Sequence, residues 1–349
     1  MAKRIPVVDL HEDVAYHYVT GGNGVSKPLP FDMDIEGRDG DIPKYMRGYV
    51  KLVFSSIFPL MPTFNPKLAS KVWSGYRGVE SICVNTVRDV KLNVIEQIKV
   101  YGRMARCYPQ IKLIGTRRDL DDLFNSDAIG FLVSLEGTDA IDDLDDLELF
   151  YRLGVRSIQL TWNYDCRVAA SCMSRRDYGL TGFGEEVIEE ANRLGIIIDL
   201  AHASERTCIE AIEASKLPVI VSHANIAKVK PHPRNLTDNV LELLASKKGV
   251  VGFTFIPSTI ADNPSIDHLV DHILYAYEHY GGDILSLGTD YFGLIYSRPP
   301  PGLEDISKVL NLWGKLVERG LPESALEKLA YRNALRVLDA HSHLWGVNV

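Results

Sequence analysis

The stretch VVDLHEDVAY (7–16) runs from apolar, β-branched residues straight into Asp9, His11 and Asp13. In a strand, residues two apart face the same side, so the imidazole of His11 and the carboxylate of Asp13 emerge together and can grip one cation. The ending recurs elsewhere: IGFLVSLEG delivers Glu136, IIIDLAH delivers His202, PVIVSH delivers His223 and DILSLGTD delivers Asp290. A lone strand-end histidine is usually a satisfied core residue. Repetition of the ending along the chain is harder to credit to coincidence. Two histidines, one His-x-Asp pair and a further carboxylate suit two divalent ions that share a bridging group, and imidazole favours zinc or a near neighbour over magnesium.

Residues so far apart in sequence meet only if the elements beneath them bring them to one face. Apolar, β-rich runs recur at 4–10, 129–135, 155–161, 196–201, 218–222, 249–255 and 283–289, separated by longer helical patterns. That alternation predicts a parallel sheet with both faces covered, and at this length a (β/α)8 TIM barrel, in which every strand's C-terminal end opens on the same side. Closing the barrel needs one more strand between 14 and 128, for which YVKLVFSS (49–56) and VESICVNT (79–86) compete on periodicity. Helices are expected over GEEVIEEANRLG (184–195), closed by Gly195, and over SERTCIEAIEASK (204–216), opened by Ser204. Residues 17–75 read mostly as loops and an insertion around the second strand, with a long first loop rich in Gly, Pro and Asp, and 340–349 as a C-terminal tail. No linker divides the chain, so 1–349 is expected to form a single domain.

Composition narrows the ligand. The chain has 349 residues, 46% of them hydrophobic and 24% charged, with a formal net charge of −8. No Lys/Arg-rich run recurs, which disfavours nucleic acid and anionic membranes and leaves small molecules. The N-terminus lacks the apolar stretch of a signal peptide and no segment approaches a membrane span, so a cytoplasmic protein is expected. The five cysteines, an odd number without a CxxC pair, suit reduced thiols better than disulfides.

The motifs Asp9-Leu10-His11-Glu12-Asp13, SLEG ending at Gly137, DLAHAS (199–204), VSHANI (221–226), HPRNLTD (232–238) and GTDYFG (288–293) resemble, in the same order, those of the membrane dipeptidase (renal dipeptidase) family, peptidase family M19 of the amidohydrolase superfamily. The resemblance runs almost end to end and takes in DIPKYMRGYV (41–50), IEQIKVYGRMARCYP (95–109), GLEDISK (302–308) and YRNALRVL (331–338). It implies that GYVKLVFSS is the second strand. It further implies a dipeptidase with two zinc ions per chain, His11 and Asp13 on one, His202 and His223 on the other, and Glu136 bridging. By the same resemblance Asp290 handles the protons of the attacking water and leaving amine, Arg234 receives the dipeptide's carboxylate, and the protein is a homodimer. One departure matters. The family's mammalian members have a histidine after the fourth strand that supports the scissile carbonyl oxygen, and Trp162 of LTWNYD stands in its place. Trp162 then lines the substrate site, and carbonyl polarisation must come from a metal, from another side chain such as His232, or not at all.

Two rival readings follow from these residues. A related metal hydrolase would act on a lactone, an N-acyl amino acid or a modified dipeptide; a silent barrel would only bind a small ligand, gaining nothing from a costly cluster of buried charges. Other signals are expected to be structural. His268, His272 and His279 fit a solvated helix face, and His341 and His343 a surface tail beyond the last helix. The run Asp142, Asp143, Asp145 and Asp146 fits helix N-terminal charge, and Cys166 and Cys172 sit on the loop after the fourth strand.

Overall fold

The computed structural model describes residues 5–19, 29–59, 90–294 and 297–346. Its strands are β1 (Val7–Glu12), β2 (Val50–Ile57), β3 (Ile111–Leu113), β4 (Ile129–Glu136), β5 (Val155–Gln159), β6 (Ile197–Asp199), β7 (Ile220–Ala224), β8 (Val250–Phe253) and β9 (Leu285–Leu287). They pair in parallel in the order β2-β1-β9-β8-β7-β6-β5-β4-β3, and a further β2–β4 pairing closes the ring. This is the (β/α)8 barrel expected from the alternation of strand and helix. β3 is outside that expectation. It pairs with Ile129–Phe131 at the start of β4 before β5 takes over the same edge at Val133. With three residues, two of them exposed, it leaves no apolar run to read in the sequence. YVKLVFSS supplies β2, as the resemblance implied; VESICVNT lies outside the described residues.

Near-continuous apolar runs in β1, β2, β4 and β5 fit strands buried on both faces: Val7, Val8, Leu52, Val53, Phe131, Leu132 and Ile158 are all inaccessible to solvent. The two helices singled out in the sequence form at Gly182–Leu194 and Glu205–Ala214. Thr181 and Ser204 cap their N-termini by accepting from Gly184 N and Thr207 N, and Gly195 closes the first with φ 74°, a conformation costly for any residue with a Cβ. Residues 29–44 of the connection between β1 and β2 are tied together by a buried charge cluster. Arg38 and Lys44 flank Asp41 at 3.2 and 2.7 Å. Further donors on the two side chains reach the carbonyls of Leu29, Pro30 and Ile35, and Phe31, Ile42 and Tyr45 of the same segment join the hydrophobic core.

Two histidine expectations are corrected. His272 is fully buried within helix Ile266–Tyr280, where its Nδ1 accepts from Ile226 N at 3.1 Å and its Nε2 lies 3.1 Å from Ile260 O; His268 and His279 are exposed as expected. His341 is not in a surface tail. It lies in the last turn of helix Asn333–Ser342 with 1% of its surface exposed, its ring nitrogens facing Gly195 O and Pro218 O, and Trp345 Nε1 donates to Gly195 O at 2.8 Å; of the two, only His343 is exposed. The C-terminal helix therefore packs against the underside of the barrel. No described helix is long and apolar enough to cross a membrane.

Candidate active site

The β1 end carries His11 inside the strand and Asp13 one step past it. Their alternation puts both on the barrel's interior side, with His11 Nε2 3.4 Å from Asp13 Oδ2. Glu136, the last residue of β4, reaches the same point: its Oε2 lies 3.6 Å from His11 Nε2, and its Oε1 lies 3.2 Å from His202 Nε2 and 3.8 Å from His223 Nε2. The two Nε2 atoms of His202 and His223 are 3.0 Å apart. Asp290 approaches from the other side, with Oδ1 3.7 Å from His11 Nε2. All six side chains are buried. The structure thus brings together His11, Asp13, Glu136, His202, His223 and Asp290, with Glu136 between the two histidine groups.

The tips of β1 and β9 are tied to each other, and this places Asp290. Asp290 N donates to His11 O at 3.1 Å and Asp13 N to Tyr291 O at 2.9 Å. Beneath them the Asp9 carboxylate accepts from His11 N, Thr289 N and Thr289 Oγ1 at 3.1, 2.9 and 2.6 Å. Asp290 and His202 both hold positive φ, 66° and 65°. Non-glycine residues there cost on the order of 1–3 kcal/mol each, and such strain concentrates at functional sites. Gly293 is required for a different reason: a Cβ on it would lie 2.3 Å from Asp13 Oδ2 and 2.7 Å from Asp290 Oδ1.

Outer partners fix the ring orientations. His202 Nδ1 lies 2.7 Å from Asn163 Oδ1, and His223 Nδ1 lies 2.8 Å from Ser222 Oγ. With Nδ1–H of His202 donated to the amide oxygen, its Nε2 lone pair faces Glu136. Burial holds both imidazoles well below their usual range, helped by the charge of Arg234, which favours the neutral form, the one able to bind a metal. Burial raises the Glu136 and Asp290 carboxyls, and their mutual repulsion with Asp13 adds to this. Burial opposes protonation of His11, but the carboxylates of Asp13 and Glu136 outweigh it and raise the ring well above its usual range. Both ring nitrogens of His11 and Asp13 Oδ1 are buried without a hydrogen bond. Clustered carboxylates and inward-facing nitrogens lacking partners fit a bound divalent cation, and the donor sets His11–Glu136–His223 and His11–Asp13–Asp290 each lie within 4.8 Å. Asn163 and Ser222 were not legible as site residues. For Asn163→Ala we expect folding to be retained and affinity for a divalent cation at this cluster to fall by about 10–100-fold, the usual cost of a lost outer partner; a calorimetric titration with zinc showing unchanged affinity would remove Asn163 from this role.

The cluster floors a cleft of about 380 Å³, lined also by Tyr16, Phe58, Trp162, Met173, His232 and Arg234. Arg234, 8% exposed, donates from Nη2 to His223 O at 3.1 Å. Among the described residues no carboxylate stands within ion-pair distance of its guanidinium. His232 is held down to about 4 by burial and the charges of Arg234 and Lys230, so it is neutral at pH 7. Its Nδ1 accepts from Arg234 N at 3.1 Å, which places its proton on Nε2. Trp162, 5% exposed, lies with its ring centroid 5.7 Å from that of His202 and 5.1 Å from that of Phe58. Cys166 is occupied by the Leu160 carbonyl, and the Cys172 thiol is pushed up to about 11 by burial, so neither is an activated nucleophile.

The sequence profile described as membrane dipeptidase (peptidase family M19) matches residues 1–344. An uncharacterized dipeptidase of Schizosaccharomyces pombe is 32% identical over 345 residues, covering 95% of this chain and 80% of the relative. Among solved structures, a metallopeptidase from Rhodobacter sphaeroides, liganded with a phosphinate mimic of the dipeptide L-Ala-D-Ala, superposes with a TM-score of 0.81 at 22% identity, covering 97% of this chain and 100% of the other. The probable dipeptidase PvdM from Pseudomonas aeruginosa gives 0.80 at 18% identity, covering 98% and 96%. At those identities the two structures support the fold.

Proposed function

The chain belongs to the membrane dipeptidase family, peptidase family M19, and from that premise we propose that it is a zinc-dependent dipeptidase working as one barrel domain, with His11 and Asp13 on one ion, His202 and His223 on a second, and Glu136 bridging. The observation that carries this reading is the convergence of the histidine and carboxylate donors on Glu136, beside a buried arginine with no described carboxylate partner. Ions held there would supply a water acidified from about 15.7 towards 7 and positive charge for a developing oxyanion.

The chain's own groups do the rest. Arg234 binds the substrate carboxylate as a charge-assisted pair and so sets where the peptide must end. His232 offers Nε2–H to the scissile carbonyl oxygen, the function of the family histidine whose place Trp162 takes. An Asp290 carboxylate oxygen takes the proton of the attacking water and returns it to the departing nitrogen, releasing a free amine and a new carboxylate. A cytoplasmic homodimer belongs to the same proposal. Support for the location is that Cys107, Cys166, Cys172 and Cys208 are free thiols, as a reducing compartment keeps them; light scattering tests the assembly.

The test is metal analysis of the purified protein coupled to a panel of L,L- and L,D-dipeptides, with lactones and N-acyl amino acids as controls. We expect about two zinc ions per chain, dipeptide hydrolysis abolished by chelation, and recovery on adding zinc. Binding of no more than one ion in excess zinc would overturn the binuclear assignment, and zinc-loaded protein that cleaves no dipeptide would overturn the activity. Arg234 has its own test. A dipeptide amide, which keeps the scissile bond but lacks the carboxylate, should lose on the order of 2–5 kcal/mol in kcat/KM. Arg234→Ala should lose about as much on the free dipeptide and little further on the amide. Simple addition of the two losses would show that Arg234 does not hold that carboxylate.

A further inference from the structure

Tyr16, Phe58 and Trp162 make a continuous aromatic wall on one side of the cleft. Tyr16 and Phe58 meet edge to face at 5.4 Å, and Phe58 and Trp162 follow at 5.1 Å. They come from three different places on the ring: Tyr16 from the segment after β1, Phe58 from the end of β2 and Trp162 from the loop after β5. Around the closed barrel the order is β1, β2, β4, β5, β6, β7, β8, β9. Phe58 therefore stands diametrically across from β7, the strand that leads to Arg234. If Arg234 holds the C-terminal carboxylate, the scissile bond lies over the central cluster and the residue on its amino side must extend towards the wall.

We propose that Trp162, with Phe58 and Tyr16, is the surface on which the side chain of the substrate's N-terminal residue packs, so that the enzyme selects dipeptides with an apolar or aromatic N-terminal residue. The inference rests on the dipeptidase reading. Aromatic faces take up apolar side chains and prefer tilted or edge-on partners, the geometry the three rings already adopt with one another. The charges in the cleft reinforce the choice. Its described acids, Asp13, Glu136 and Asp290, all belong to the central cluster, and its cation, Arg234, follows β7, opposite β2 with Phe58 and two strands from the β5 that leads to Trp162. A lysine or glutamate side chain laid on the wall would lose water without gaining a charged partner there.

The experiment compares two series on zinc-loaded protein, Xaa-Ala and Ala-Xaa, with Xaa as Phe, Leu, Ala, Lys and Glu. We expect kcat/KM for Phe-Ala and Leu-Ala to exceed that for Lys-Ala and Glu-Ala by about 10–100-fold, the scale of burying one apolar side chain, carried mainly by KM, with a smaller spread in the Ala-Xaa series. Calorimetric binding of phosphinate mimics of Phe-Ala and Ala-Ala should show the same ordering without turnover. Trp162→Ala should remove most of the gap while keeping zinc content, at a lower melting temperature because a buried ring is lost, and Trp162→Phe, which keeps a ring and guards against a misfolded alanine variant, should retain much of it. An even Xaa-Ala series, a preference confined to Ala-Xaa, or a gap that survives in Trp162→Ala overturns the wall and leaves the dipeptidase reading intact. Failure to cleave any member of either series overturns both.

Discussion

Asp290→Asn is expected to keep its metal and to lose about 10²–10⁴-fold in kcat, the usual range for a positioned acid/base. Asparagine has the shape of aspartate and keeps one carbonyl oxygen facing His11, but its amide cannot accept and return a proton. The backbone around it does not depend on the side chain's charge. Asp290 N still donates to His11 O, Tyr291 O still accepts from Asp13 N, and Thr289 stays bonded to Asp9. Geometry and chemistry are therefore separated by a single atom. The measurement is kcat in parallel with metal content. Near-normal turnover in metal-replete protein removes Asp290 from the mechanism. Loss of an ion instead would make it a ligand, a role its place within 4.8 Å of donors on His11 and Asp13 would allow.

Glu136→Ala is expected to have the largest effect of any single substitution, because one carboxylate serves both halves of the cluster. Its Oε2 faces His11 and its Oε1 faces His202 and His223. On the proposed bridge, removing it takes a ligand from each ion and leaves the buried nitrogens of His11, His202 and His223 without the carboxylate they face. Zinc affinity should fall at both sites by more than the about 10–100-fold typical of a lost outer partner, and turnover should fall below that of Asp290→Asn. His11→Ala, by contrast, should weaken mainly one site. Titration with zinc, read by bound metal rather than by activity, distinguishes the two patterns. If Glu136→Ala lost one ion cleanly and held the other at wild-type affinity, the bridge would be wrong.

The histidine and carboxylate pattern was readable because parallel strands impose it. Side-chain alternation aligns His11 with Asp13, and right-handed crossovers bring every strand's C-terminal end to one face. Readings that needed a neighbour's identity fared differently. His272 and His341 carry no sequence mark of burial; each is covered by segments 46 to 146 residues away, Ile226 for one and Gly195 for the other. Trp162 was noticed only as a departure from a family residue, and its stacking with Phe58 joins the loops after β5 and β2.

By itself, then, the amino-acid sequence determined the barrel and the face on which these histidines and carboxylates converge, since both follow from local periodicity and the order of elements. Tertiary structure alone decided what surrounds those donors: Asn163 beside His202 across 39 residues, Asp9 tying down Thr289 across 280, and Gly293 yielding space to Asp13 and Asp290. The physical reason is that hydrogen bonds and close packing act over about 3 Å in space whatever the separation along the chain. Periodicity records which way a side chain points, and the closed ring decides what it meets.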